Sequence, residues 1–176
     1  MTGPAGSRAR SGSNGAVEIV TGAQSAPTLF ICDHASNALP PAYGTLGLPA
    51  EQFARHIAWD IGAADVTRAL AARFDAPAVL SRYSRLLIDP NRGADDPTLV
   101  MRISDGALIP GNASIDDTEI RKRTEAYWRP YREAIAAQID AMTRVPVIVS
   151  IHSFTPVWRG VPRPCHVLAW IRRQRP

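Results

Sequence analysis

Two histidines each follow an apolar run of the sequence, and a third apolar run leads into a charged segment. His34 comes after residues 28–32 (TLFIC), and His152 comes directly after residues 146–151 (PVIVSI). Residues 85–88 (RLLI) lead in the same way into a segment with acidic, amide and basic side chains. Ligands of an open α/β sheet collect outside the carboxyl ends of its strands. The pattern therefore predicts one polar site at three strand ends, of the metal-dependent hydrolytic kind.

The candidate metal ligands are His34, His152 and Asp60. Zinc in a hydrolase usually takes three protein ligands of histidine and carboxylate type and keeps one position for water. We therefore expect a divalent metal, Zn²⁺, as the cofactor. The alternative role for Asp60 is an N-cap of the helix that follows Gly62. The predicted role of Asp33 is to orient an imidazole through its second nitrogen.

Length and composition favour one globular domain with a hydrophobic core. The chain has 176 residues, of which 45% are hydrophobic and 20% are charged. No apolar run is long enough to span a bilayer, and Arg8 and Arg10 are not followed by the apolar stretch of a secretory signal. We therefore expect a cytoplasmic protein without a membrane partner. The net charge is +4, but the cations are scattered and no nucleic-acid motif is present, so nucleic acid is not an expected partner.

Strand-like runs alternate with helical periods, which predicts an α/β fold with a mostly parallel or mixed sheet flanked by helices. The predicted strands are residues 28–32, 78–80, 85–88, 147–151 and 166–170.

Two helices are expected. The first begins near Pro49 and carries an apolar stripe at helical spacing, formed by Phe53, Ile57, Ile61, Val66, Leu70 and Phe74. The second begins at Asp116 as N-cap, with Glu119 completing a capping box, and Pro130 is expected to kink it. Its predicted inner face is formed by Ile120, Tyr127, Tyr131, Ile135 and Met142.

Composition also sets the expected boundaries of the domain. Residues 1–26 are rich in Gly, Ser, Ala and Thr with little apolar periodicity, which predicts a mostly disordered segment. The folded domain is expected over residues 27–171, with residues 90–115 as a loop region inside it. Residues 172–176 are expected to form a basic tail.

Four separated segments resemble motifs of the N-formylglutamate amidohydrolase family. They are residues 32–37 (CDHASN), 56–63 (HIAWDIGA), 81–92 (SRYSRLLIDPNR) and 152–164 (HSFTPVWRGVPRP). The resemblance covers residues 28–170. It implies a fold related to the zinc carboxypeptidases (phosphorylase/hydrolase-like). It also implies hydrolysis of N-formyl-L-glutamate, or a similar N-acyl amino acid, a step of histidine breakdown that gives glutamate and formate.

The same resemblance implies roles for the segment that begins at Asp89. Asn91 and Arg92 resemble the pair with which zinc carboxypeptidases bind a substrate carboxylate, and the planar fork of arginine suits that task. Arg85 or Arg82 could bind the second carboxylate of the substrate. Asp89 is expected either to tether Arg92 or to cap a turn. The expected catalytic pair is Arg92 and Asp89.

The resemblance further implies a missing part. Family members continue beyond the last residue of this chain, and their later segment carries a glutamate, in a motif similar to EIRxD, that resembles a general base. We therefore expect a chain truncated at the C-terminal side, with an incomplete fold and a slow reaction, because loss of a general base typically costs about 10²–10⁴ in rate. Two alternatives stay open: a catalytically impaired pseudoenzyme or carboxylate-binding module, and a thiol hydrolase that uses Cys32.

Overall fold

The computed structural model describes residues 15–155, 157–158, 161–162 and 167–173 of the chain. In chain order its strands are β1 (Val17–Val20), β2 (Thr28–Cys32), β3 (Ala78–Ser81), β4 (Ile103–Ser104), β5 (Ala107–Leu108), β6 (Val147–Ser153), β7 (Val157–Trp158), β8 (Val161–Pro162) and β9 (Val167–Arg173). Its α-helices are α1 (Ala63–Phe74), α2 (Pro110–Ala113), α3 (Asp117–Arg123) and α4 (Arg129–Ala141). Short 3₁₀ turns cover Pro41–Tyr43 and Ala50–Ala54, and a π-helical segment covers Thr124–Trp128. None of the described helices is long and apolar enough to cross a membrane.

A five-stranded mixed sheet forms the centre of the fold, in the order β1-β3-β2-β6-β9. β2 pairs in parallel with β3 and β6, while β1 and β9 pair antiparallel at the two edges. Helices α1 and α4 pack against this sheet. The predicted α/β class with a mostly parallel or mixed sheet is therefore confirmed. Because β2 and β6 are neighbours and run in the same direction, the residues that follow them lie close together at the carboxyl ends of these strands.

Helix α1 uses the predicted apolar stripe only in part, since Leu70 packs against the core but its neighbours in the stripe do not form the buried face. The side chains that pack inward are mostly small: Ala63, Ala64, Thr67 and Ala71. Val66 is 39% exposed and Phe74 is 60% exposed. Small side chains allow a helix to pack closely on a sheet. The helix therefore turns its small residues toward the sheet and leaves the larger Val66 and Phe74 exposed.

The expected start of this helix near Pro49 is wrong. Only Ala50–Ala54 forms a 3₁₀ turn, and α1 begins after Gly62, whose φ of 80° lies in the left-handed region. Tertiary hydrogen bonds replace helical ones in between, since the carbonyl of Ala58 accepts from the backbone N–H of Arg85 at 3.2 Å. The apolar residues of this segment instead pack into a loop cluster that includes Ile57.

The predicted strand at residues 85–88 is also wrong, because residues 85–87 form a turn and Ile88 belongs to no regular element. The hydroxyl of Ser84 accepts from the N–H of Leu86 at 3.2 Å, and the carbonyl of Ser84 accepts from the N–H of Leu87 at 3.0 Å. Leu86 and Leu87 are both fully buried but belong to two different clusters. This run resembles a buried strand in sequence because successive side chains are buried, although they are buried in two different clusters.

Two boundary predictions need correction at the sheet edges. β1 pairs with β3 from Val17 opposite Ser81, so the prediction of a disordered segment is wrong for this strand. β9 includes Arg172 and Arg173, which were assigned to a basic tail. Residues 1–14 and 174–176 lie outside the described part of the chain.

The second helical region begins as predicted. Asp116 is the N-cap of α3, and its carboxylate accepts from the N–H of Glu119 at 2.9 Å. Glu119 does not complete the capping box, because its carboxylate accepts from Arg123 at 2.9 Å. Pro130 lies in the first turn of α4, directly after the π-helical segment Thr124–Trp128, so the expected irregularity at this proline takes the form of a change from π-helical to α-helical hydrogen bonding. Of the predicted inner face, Tyr131 is fully buried.

Candidate metal centre

The three predicted metal ligands lie together. His34 follows β2, Asp60 lies in the turn before α1, and His152 belongs to the end of β6. The ligand atoms of these three buried residues all lie within 4.8 Å of one another. Asp60 Oδ2 is 2.9 Å from His152 Nδ1 and 3.5 Å from His34 Nδ1. The parallel pairing of β2 with β6 therefore produces the cluster predicted from the sequence.

Asp60 does not act as an N-cap. Gly62 takes the N-cap position of α1, and no side chain caps that helix. The backbone N–H of Asp60 instead donates to the carbonyl of His34 at 2.9 Å, and its carboxylate accepts from the N–H of Ser153 at 3.3 Å. Asp60 thus joins the ends of β2 and β6 and directs a carboxylate oxygen between the two imidazoles.

The second nitrogen of each imidazole lies against a buried carboxylate. His34 Nε2 is 2.7 Å from Asp89 Oδ1, and His152 Nε2 is 3.2 Å from Asp33 Oδ2. Metal-ligating histidines usually donate from their outer nitrogen to a carboxylate, which fixes the ring and its tautomer. This arrangement leaves Nδ1 of both rings directed at Asp60.

The buried carboxylates set the electrostatics of the centre. Burial alone would lower the pKa of His152, but its hydrogen bonds to Asp33 and Asp60 outweigh burial and raise that pKa to about 9. The pKa of His34 is raised for the same reason by Asp60 and Asp89, against its burial. Burial would raise the pKa of Asp60, yet the two histidines hold it well below its usual range. The cluster is therefore an environment that favours a positive charge.

Arg85 already donates into this environment. Its Nη2 donates to Asp89 Oδ2 at 2.9 Å, and its Nη1 lies 3.3 Å from His34 Nδ1 and 3.8 Å from Asp60 Oδ1. One of the candidate ligand atoms, His34 Nδ1, therefore already lies close to a guanidinium. Arg85 Nε is buried and has no hydrogen-bond partner among the described residues.

Asp89 is fully buried and connects the segment after the turn to the centre. It accepts from the backbone N–H of Asn91 at 2.9 Å, and its Oδ2 lies 3.8 Å from Arg92 Nε. Burial would raise the pKa of Asp89, but His34 and Arg85 lower it to about 2. Sequence reasoning assigned Asp89 to Arg92 or to a turn and missed its closer contact with His34.

Arg92 and Asn91 lie at the exposed rim of the centre. The side chain of Arg92 is 44% exposed, and the indole N–H of Trp128 donates to its backbone carbonyl at 3.0 Å. Asp96 Oδ2 lies 3.9 Å from Arg92 Nη1. The main chain of this arginine is therefore anchored, while its guanidinium faces solvent next to the buried cluster.

Two residues of the centre were missed by sequence reasoning. Tyr131 was assigned to an apolar helix face, yet its hydroxyl donates to Asp33 Oδ1 at 2.9 Å. Ser150 donates to Asp33 Oδ2 at 2.9 Å and lies two residues before His152 on the same strand. A serine in the otherwise apolar run of β6 was the available signal, since residues two apart share a face of a strand.

Cys32 does not have the properties of a nucleophile. It is fully buried, and burial raises the pKa of its thiol to about 12. A reactive cysteine needs a thiolate, which requires a lowered pKa and access. Cys165 lies outside the described residues.

The family model of N-formylglutamate amidohydrolase matches residues 26–173. No curated protein matches the chain. The chain is similar to the crystal structure of a gene product of Agrobacterium tumefaciens, with 40% sequence identity and a TM-score of 0.79; the match covers 84% of this chain and 60% of that one. It also matches the crystal structure of N-formylglutamate amidohydrolase from Ralstonia eutropha JMP134, with 19% identity and a TM-score of 0.47, over 71% of this chain and 51% of that one. The chain thus spans between half and two thirds of the length of these two solved structures.

Proposed function

The chain belongs to the N-formylglutamate amidohydrolase family, and on that premise we propose that it acts as a metal-dependent amidohydrolase. Its substrate would be N-formyl-L-glutamate or a similar small N-acyl amino acid, hydrolysed to the free amino acid and formate. The observation that carries the proposal is the buried group of His34, Asp60 and His152, whose ligand atoms lie within 4.8 Å of one another.

The donor set fits a divalent metal, and Zn²⁺ is the proposed ion. Nδ1 of His34, Nδ1 of His152 and the carboxylate of Asp60 would hold it, because zinc in hydrolases takes ligands of these types and keeps one position open. When bound, such an ion lowers the pKa of a water molecule and polarises the carbonyl group under attack. The outer carboxylates of Asp33 and Asp89 would keep both imidazoles in place.

The basic residues would bind and orient the substrate. The guanidinium of Arg92 lies at the exposed rim, where its planar fork can take a substrate carboxylate bidentately. Asn91 follows the same anchored turn, which is held by the contact of its N–H with Asp89. The guanidinium of Arg85, which donates to Asp89 at 2.9 Å, would bind a further substrate oxygen.

Formate release from N-formyl-L-glutamate tests the proposal. Release by the purified chain should disappear on chelation and return on addition of Zn²⁺. His152→Ala and Asp60→Ala should lose both metal and activity. His56→Ala is the matched control, because His56 belongs to the same family motif as Asp60 but lies 3.5 Å from Asp105 and outside the group. Turnover that survives chelation, or full metal content in folded His152→Ala, would contradict the proposed centre.

Binding without turnover is a second candidate function. Within the described part of the chain, every carboxylate of the centre is already paired: Asp33 with Tyr131 and Ser150, Asp60 with His152, and Asp89 with Arg85. None of these three acids is free to act as a general base, which favours a carboxylate-binding module. Calorimetric binding of glutamate together with an absence of formate release would support this candidate over the enzyme.

A further inference from the structure

Asp33 contacts three side chains that come from two elements, α4 and β6. It is buried, and its Oδ1 accepts from the hydroxyl of Tyr131 at 2.9 Å. Its Oδ2 accepts from the hydroxyl of Ser150 at 2.9 Å and lies 3.2 Å from Nε2 of His152. Both oxygens of this carboxylate are thus occupied, one from α4 and the other from β6.

Ser150 also contacts the imidazole itself. Its Oγ lies 3.0 Å from His152 Nε2 while its proton goes to Asp33. The N–H at Nε2 is therefore shared between two acceptors, the serine oxygen and the carboxylate. In the neutral imidazole, which is the form that binds a metal, such a pair of acceptors selects the tautomer that leaves the lone pair on Nδ1, the atom directed at Asp60.

Tyr131 holds the carboxylate of Asp33 at Oδ1, the oxygen that does not contact His152. It is fully buried on α4, and among the described residues its hydroxyl bonds to Asp33. A carboxylate held at one oxygen only can rotate about its Cβ–Cγ bond, whereas one held at both oxygens keeps its plane. The hydroxyl of Tyr131 supplies this second constraint.

We infer that Tyr131 and Ser150 are positioning residues that act through Asp33 to keep Nδ1 of His152 directed at the metal position. This inference rests on the proposed function, because it assigns the two residues to the proposed metal centre. Residues outside the ligand set that orient a ligand typically contribute 10–100-fold to metal affinity. His34 is held by a separate set of groups, Asp89 with Arg85, so the effect belongs to the His152 side.

The test is the affinity of the metal-free chain for Zn²⁺, measured by competition with a chelator. Tyr131→Phe removes only one oxygen atom and should weaken Zn²⁺ binding by about 10-fold, and Ser150→Ala should weaken it by a similar factor. Tyr127→Phe is the matched control, because it removes a tyrosine hydroxyl one turn earlier from a ring that packs against Tyr43 and Tyr83. Its affinity should equal that of the wild type.

A second readout separates positioning from loss of structure. In the Zn²⁺-loaded protein, the Nε2–H proton of His152 should give a downfield NMR resonance protected from exchange with water, assigned by its absence in His152→Ala. In Tyr131→Phe this resonance should exchange faster or shift, while the circular dichroism and melting temperature show a folded chain. Ser150→Ala serves as the second variant if Tyr131→Phe does not fold.

The outcomes separate this inference from the proposed function. If the wild type binds Zn²⁺ and His152→Ala does not, the metal centre stands. Unchanged affinity and unchanged Nε2–H resonance in Tyr131→Phe and Ser150→Ala would then overturn the positioning role alone. Failure of the wild type itself to bind a divalent metal would overturn both.

Discussion

His152 Nδ1 and Asp60 Oδ2 lie 2.9 Å apart, although 92 positions separate these residues in the chain. The contact forms between the end of β6 and the turn before α1, which are brought together only by the completed sheet. An unfolded chain cannot offer both atoms at this distance. The candidate ligand set is therefore a property of the folded state, and a metal that binds only there stabilises that state.

The first prediction follows from this coupling. A ligand that binds only the folded state at 100 times its Kd adds about 2.7 kcal/mol, which is roughly 5–10 °C in Tm for a domain of this size. We expect Zn²⁺ to raise the Tm of the wild type by this amount, as measured by thermal unfolding. The increase should vanish in His34→Ala and persist in His56→Ala. An equal increase in all three proteins would place the binding elsewhere.

The second prediction concerns Arg92. If its guanidinium binds a substrate carboxylate, Arg92→Ala should weaken binding of glutamate-like ligands by about 1.5–3 kcal/mol, the usual contribution of a hydrogen bond to a charged group. Arg92→Lys should not restore the affinity, because lysine lacks the planar fork. Arg73→Ala, at an exposed position in α1, is the matched charge control. Calorimetry would contradict the assignment if Arg92→Ala and Arg73→Ala bound glutamate equally well.

The third prediction concerns the buried hydrogen bonds of Asn112, which hold the turn that leads to Asp89. Asn112 is fully buried, and its amide donates to the carbonyls of Leu86 and Met101, both at 2.8 Å. Its side-chain oxygen accepts from Arg123 at 2.7 Å. Asn112→Ala leaves the two carbonyls without this donor, whereas Arg123 still donates to another backbone carbonyl at 3.0 Å. Each buried polar group without a partner costs about 1–3 kcal/mol.

Urea unfolding checks this expectation. Asn112→Ala should lower the free energy of unfolding by at least about 1–3 kcal/mol, whereas Ser114→Ala, at an exposed position two residues later, should change it little. Equal unfolding midpoints for the two variants would show that the network contributes no net stability.

The fourth prediction addresses the thiol hydrolase alternative. Burial raises the pKa of Cys32 to about 12, so almost no thiolate forms at pH 8 and the sulfur is inaccessible. In a Cys165→Ala background, iodoacetamide at pH 8 should leave Cys32 unmodified in the native protein and modify it after unfolding. Mass spectrometry measures the extent of alkylation. Fast alkylation of the native protein, together with loss of turnover, would contradict this prediction and support a thiol mechanism.

Continuous apolar runs predicted the inner strands well. Residues 28–32 and 147–151 read as buried strands because both of their faces are covered, and both are strands in the structure. The Asp116 cap could be predicted as well, because an N-cap depends on a few neighbouring residues. These features need only local information, and the pairing of β2 with β6 then explains why His34 and His152 meet.

The remaining features depend on tertiary contacts that sequence periodicity does not carry. Residues 85–88 show the apolar content of a strand, yet Ser84 organises them into a turn. The buried face of α1 differs from the predicted stripe because its small residues pack inward while Val66 and Phe74 stay exposed. The contact between His34 and Asp89 joins residues 55 positions apart, and no spacing rule predicts such a distance.

Adjacent residues at the end of β2 belong to opposite halves of the centre. Asp33 lies against the imidazole of His152, while the next residue, His34, lies against Asp89. These two residues form a turn directly after β2, and their side chains contact different groups of the centre. A one-residue insertion or deletion there would displace the carboxylate that holds His152 together with the imidazole of His34, so both imidazoles would be affected at once. This dipeptide is consequently the position where the chain should tolerate changes in length least, even though it lies in a connection between two regular elements.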